Sequence, residues 1–77
     1  MAFPSRERVA RNFIKRYGMT QFQETLTAFG ELRSGQKIAN QLGVSRERVR
    51  QWRNAFGQIV TFYRLYPETK RILEESE

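Results

Sequence analysis

A small all-α domain of five or six helices is the fold that this 77-residue chain predicts. Three observations predict it. Apolar residues recur every three or four positions in segment after segment, which is the helical period. Those segments are punctuated by Ser or Thr ahead and Gly behind, the usual start and stop residues of helices. Finally, the stretch from Ser34 to Phe56, SGQKIANQLGVSRERVRQWRNAF, carries two apolar stripes that keep register across a glycine.

Taken in order, Met1 to Pro4 reads as a short arm. Ser5 can cap a first helix running to about Tyr17, with Val9, Ala10, Phe13, Ile14 and Tyr17 along one side and Gly18 as its stop. Arg6, Arg8, Arg11, Lys15 and Arg16 lie mostly elsewhere on its surface, where they can meet phosphates or simply be solvated. Thr20 with Gln23 matches a capping box, so a second helix is expected to start there. Phe22, Leu26 and Phe29 form its inner face and Gly30 its expected end.

The third and fourth helices are expected at about 35–41 and 45–56. Ile38 and Leu42 are four apart and share one face; Val49, Trp52 and Phe56 are spaced three and four and make one stripe. Ala39 sits where two crossing backbones come closest. Gly43 supplies the left-handed conformation of a tight turn. Ser34 and Ser45 stand ahead of the two helices as N-cap candidates. Small residue, turn glycine and both stripes together specify a helix-turn-helix over residues 34–56.

Residues 57–77 form a C-terminal aromatic and acidic extension of what reads as a single domain, 1–77. Gly57 weakens helix continuation by about 1 kcal/mol relative to Ala. The segment GQIVTFYRLY has too many apolar residues for one face of an exposed helix, and its β-branched and aromatic content also suits a short strand. Helix is the expectation, because no partner strand is evident. Pro67 fits the first position of a last helix, PETKRILEE, with Ile72 and Leu73 turned inward and a frayed end beyond.

Composition narrows the function. There is no Cys, His or Asp, hence no thiolate, no imidazole base and no common zinc ligand. No catalytic constellation, metal site or cofactor is expected, and the chain reads as a non-enzyme without a small-molecule substrate. No apolar run approaches the roughly 20 residues of a membrane span, and the N-terminus lacks the apolar core of a secretory signal. A cytoplasmic, nucleoid-associated protein is the expectation. The net charge is +6 and the pI about 10.5, which suggests a polyanionic partner. The charge is uneven: residues 1–57 hold eleven Lys and Arg against four Glu, whereas residues 67–77 hold two against four.

A basic helix-turn-helix points to double-stranded DNA. On a wheel at 100° per residue, Val49, Trp52 and Phe56 face inward while Glu47, Arg50, Gln51 and Asn54 face outward, with Arg46 and Arg53 on one flank and Arg48 on the other. The second helix of such a motif enters the major groove N-terminus first. Arg46, Glu47, Arg50 and Gln51 are therefore the base-reading candidates. Arg suits guanine, Glu cytosine and Gln adenine. Glu47 can alternatively pair with Arg46, Arg50 or its own helix N-terminus. Ser45, Arg48, Arg53, Asn54, Lys37 and Arg33 are the candidates for the DNA backbone.

The run Val44-Ser45-Arg46-Glu47-Arg48-Val49-Arg50-Gln51 resembles the promoter-reading helix in region four of bacterial primary sigma factors, which carries the string V-[TS]-R-E-R-[IV]-R-Q. The resemblance implies base contacts for Arg46, Glu47 and Gln51 and a backbone position for Arg50. It covers about a quarter of the chain. It departs at Trp52, where the family has an aliphatic residue, and in the aromatic tail from Phe56 to Tyr66. The chain has no room for the other sigma regions, so a small DNA-binding regulator of bacterial or phage type is expected rather than a complete sigma factor. The competing expectation is a protein-interaction module whose aromatic tail docks RNA polymerase or a second copy of the chain; it requires Phe62, Leu65 and Tyr66 to stay off the domain's own core.

Overall fold

The computed structural model describes residues 5–75. The expected arm at 1–4 and the frayed last residues, 76–77, lie outside the described residues. Within the described residues the chain forms α1 (Arg6–Tyr17), α2 (Met19–Gly30), α3 (Gly35–Leu42), α4 (Arg46–Phe56), β1 (Gly57–Ile59), β2 (Tyr63–Leu65) and α5 (Pro67–Glu75). The fold is mostly helical but not strictly all-α.

Most helix starts follow from local chemistry. The Ser5 hydroxyl accepts from the Arg8 N–H at 3.0 Å and the Ser45 hydroxyl from the Arg48 N–H at 3.1 Å, each satisfying one of the orphan donors of a first turn. Ser34 does the same for Gln36 at 3.2 Å. Gly43 adopts φ 70°, ψ 34° and ends α3, its N–H returning to the Ala39 carbonyl. A three-residue turn then leads into α4.

Two expectations are corrected. The Thr20–Gln23 capping box does not form: Gly18, at φ 95°, both ends α1 and precedes α2, which makes no side-chain cap and takes in Met19 and Thr20. Gly30 is the last residue of α2, as expected, and the turn after it places Leu32 at φ 57°. Secondly, residues 57–65 are a β-hairpin instead of a helix. β1 and β2 pair antiparallel, Gly57 opposite Leu65, Gln58 opposite Arg64 and Ile59 opposite Tyr63, around the loop Val60-Thr61-Phe62.

The hairpin forms because it finishes α4. The last carbonyls of a helix lack intrahelical donors. Here the Tyr63 hydroxyl donates to the Arg53 carbonyl at 2.6 Å. The Phe56 carbonyl accepts from the Tyr66 N–H at 3.0 Å and from the buried Thr69 hydroxyl at 2.8 Å. A continued helix offers neither side-chain bond, and would have to bury apolar residues on every face.

The core is aromatic. The Phe13 ring of α1 lies 4.8 Å from Trp52, 5.7 Å from Phe22 and 5.8 Å from Phe56, centroid to centroid. Phe29 extends the cluster to Tyr63 at 5.4 Å. Ile38, Ala39 and Val49 are buried between α3 and α4, and Ile72 brings α5 onto the core while Leu73 is half-buried. Thus Val49, Trp52 and Phe56 face inward, and the outer side of α4 is left to solvent.

Candidate nucleic-acid interface

Since the inner stripe of α4 is spent on the core, helical geometry fixes what it shows to solvent. Arg46, Glu47, Arg48, Arg50, Gln51 and Asn54 are all exposed. They do not form one cluster. Arg46, Glu47, Arg50 and Arg53 line a depression of about 330 Å³ against Gly35 at the start of α3. Arg48, Gln51 and Asn54 lie on the other flank and line a groove of about 910 Å³ between α4 and α1.

Glu47 and Arg50 are joined by two hydrogen bonds, Arg50 Nε to Oε1 at 3.1 Å and Nη2 to Oε2 at 2.7 Å. This bidentate bond, with the guanidinium charge, holds the Glu47 carboxyl below its ordinary range and raises Arg50 further above its own. The pairing of Glu47 with Arg50, one of the alternatives open in the sequence, exists in the unbound protein. Glu47 also sits in the first turn of α4, where the helix dipole favours an acid.

Arg53 has a structural occupation. Its Nη2 donates to the Arg33 carbonyl at 3.0 Å, and its guanidinium lies 5.1 Å from the centre of the Phe29 ring. Half-buried, it ties α4 to the turn before α3. The Arg33 side chain is paired with Glu31 at 2.6 Å. Lys37 is exposed on α3. Ser45 uses its hydroxyl oxygen as the α4 cap.

The remaining ion pairs sort the surface charge. Glu7 is paired with Arg11 at 3.2 Å and with Arg71; Arg11 also meets Glu75 at 3.2 Å, and Arg6 meets Glu68 at 4.0 Å. Hydrogen bonding from Arg11, with help from Arg71, holds the Glu7 carboxyl below its ordinary range. All of this lies between α1 and α5. By contrast Arg16, Lys37, Arg46 and Arg48 have no acidic partner among the described residues.

Set against protein-family models, curated proteins and solved structures, the chain matches none. The surface must therefore be interpreted from its own chemistry. Among the described residues no group of three His, Cys, Asp or Glu side chains gathers to hold a metal ion, and no helix is long and apolar enough to cross a membrane. Asn12 escaped the sequence reading, and Arg16 was not separated from the other basic residues of the first helix. Their signal was the spacing Val9-Asn12-Arg16, a stripe three and four residues apart that borders α4.

Proposed function

We propose that this chain binds double-stranded DNA sequence-specifically, with α4 in the major groove, and that it regulates transcription in the manner of a small bacterial or phage repressor or activator. It acts by occupying a site and performs no chemistry. The observation that carries this reading is the outer side of α4. Six polar side chains, four of them charged, stand clear of the core on a helix capped at both ends. Glu47 is the single acid among them. A helix with its side chains is about 10–12 Å across and the major groove about 12 Å wide, so α4 fits as a probe. Arg46, Glu47, Arg50 and Gln51 then face base edges; Ser45, Arg48, Asn54, Lys37 and Arg33 approach phosphates, with Arg53 positioning the helix from behind. Selection from a random duplex pool tests the reading. It predicts enrichment of a defined site and binding that weakens steeply with salt. Absence of enrichment, or a log–log salt slope near zero, would refute it.

A second reading is favoured by the hairpin. Ile59, Val60 and Phe62 are 55%, 66% and 59% exposed, whereas Tyr63 is buried and Leu65 half-buried. The tip thus presents apolar surface that could meet a protein partner, RNA polymerase or a second copy of the chain. Sedimentation of wild type and Phe62→Ser over a range of concentrations, with and without duplex, tests the self-association branch: a mass that stays monomeric for both proteins rules it out.

A further inference from the structure

We propose that the groove between α1 and α4 seats one sugar–phosphate strand of the duplex, with Asn12 and Arg16 of α1 and Arg48 of α4 as its phosphate ligands. The proposal rests on the DNA reading of α4 and adds a second wall to that site.

The groove is built by two facing stripes. Val9, Asn12 and Arg16 are spaced three and four residues apart on α1. Arg48, Gln51 and Ala55 have the same spacing on α4. Phe13 and Trp52 close its floor and are buried, so only the rims are polar. No carboxylate lines it. In a protein with eight acidic residues, that is a selective property of this surface: Glu7 and Glu75 pair with Arg11 and Arg71 where α1 meets α5, and Glu68 comes no nearer than its 4.0 Å pairing with Arg6, which borders the groove. Arg16 Nε donates to the Tyr17 hydroxyl at 3.3 Å, which lays its side chain along the groove wall and leaves both terminal nitrogens for an anion.

Position selects the occupant. A helix filling the major groove has one phosphate strand passing along each flank. On one flank of α4 stands the start of α3, with Gly35 beside Arg46 and Arg53. On the other stands α1. A strand leaving the major groove on that side runs between Arg48 and the Asn12–Arg16 stripe. Arginine and amide side chains are the donors that phosphate oxygens take, and they position the duplex without reading its sequence. Asn54, also a backbone candidate, borders the same groove, as does Gln51 on its way to the base edges.

The experiment measures duplex affinity against salt for wild type, Arg16→Gln, Arg48→Gln and the double variant, on the selected site and on a scrambled duplex. Lys70→Gln, at an exposed position on α5, removes the same charge outside the groove. Each phosphate contact is worth about 0.9 in the log–log salt slope. Arg16→Gln and Arg48→Gln should each make the slope shallower by about that much, and the double variant by roughly twice as much, equally on both duplexes. Lys70→Gln should change it far less. Asn12→Asp, which puts a carboxylate into the groove at an exposed position, should lower affinity roughly tenfold or more on both duplexes. If wild type binds duplex while the Arg16 and Arg48 variants behave like Lys70→Gln, the groove is not a phosphate site and only the α4 reading stands. If wild type binds no duplex even at low salt, both fail together.

Discussion

Replacing Gly57 with alanine separates a hairpin from a helix by the sign of its effect. In a continued helix, Gly→Ala at this position would stabilise the protein by about 1 kcal/mol. In the structure the outcome is opposite. A Cβ built on Gly57 would lie 2.4 Å from the carbonyl oxygen of Arg64, 2.9 Å from Cζ of Tyr63 and 3.0 Å from the Arg64 carbonyl carbon, where 3.4–4 Å is ordinary contact. The backbone itself is extended, φ −175° and ψ −168°, so an alanine suffers no torsional strain. The cost is purely one of space. Neither obstacle yields easily. The Arg64 backbone belongs to the strand paired with β1, and the Tyr63 ring is packed in the core with its hydroxyl on the Arg53 carbonyl. Overpacking of this kind costs about 1–3 kcal/mol. For a domain of this size each kcal/mol moves Tm by about 4–8 °C. Thermal and urea melts followed by circular dichroism should therefore place Gly57→Ala well below wild type. A variant that melts at or above wild type would show that the segment after α4 is not held as a hairpin.

Two further outcomes follow from the core and its edge. Trp52, 6% exposed and edge-on to Phe13 and Tyr17, should lose about 3–5 kcal/mol on replacement by alanine, a large part of the stability of a domain this small; a variant that melts like wild type but loses DNA would mean that Trp52 faces outward. Burial pushes the Tyr63 hydroxyl pKa above its ordinary 10.0. Because the folded value is the higher one, its stabilising effect is whole below about pH 10 and is lost as pH rises toward the folded value. Tyr63→Phe should cost about 1 kcal/mol at neutral pH and lose less stability than wild type above about pH 10; parallel alkaline melts would refute the assignment. Removing the one acid of the α4 face, Glu47→Ala, frees Arg50 and lifts a repulsion with phosphate. It should relax discrimination at one base pair by about 1–3 kcal/mol while non-specific affinity holds or rises, read by titrating single-base-pair variants of the selected site. An equal loss on every variant would assign Glu47 to Arg50 alone.

What was legible in the sequence was whatever a single helix decides for itself. Ser5, Ser34 and Ser45 cap because a hydroxyl reaches an N–H two or three residues on, and the inner stripe Val49-Trp52-Phe56 follows from the helical period. What was not legible depends on distant partners. The strands of the hairpin are three residues each, too short for an alternating pattern to declare itself, and no Asn-Gly or Asp-Gly marks the turn. Their apolar residues point both ways, Tyr63 to the core and Ile59, Val60 and Phe62 to solvent. The Arg53 side chain reads as a phosphate ligand on a wheel, because a wheel cannot show a carbonyl twenty residues away at Arg33. Thr20 and Gln23 satisfy a capping pattern, yet the positive-φ turn at Gly18 starts the helix two residues too early for it.

The charge asymmetry along the chain becomes an asymmetry across the fold, and α5 is what converts one into the other. In sequence, acids gather toward the C-terminus and bases before it. In space, α5 packs along α1 and brings Glu68 and Glu75 to Arg6 and Arg11, while its own Arg71 takes Glu7. These pairs are exposed and contribute little to stability. Their consequence is electrostatic. They cancel charge where α1 meets α5, whereas Arg16, Arg46 and Arg48 keep theirs. Lys15 and Lys70 also have no acidic partner among the described residues, so the cancellation beside α5 is partial; it still lowers the net positive charge there relative to the face where α4 stands out. Orientation on encounter, rather than added binding energy, is what such an arrangement supplies.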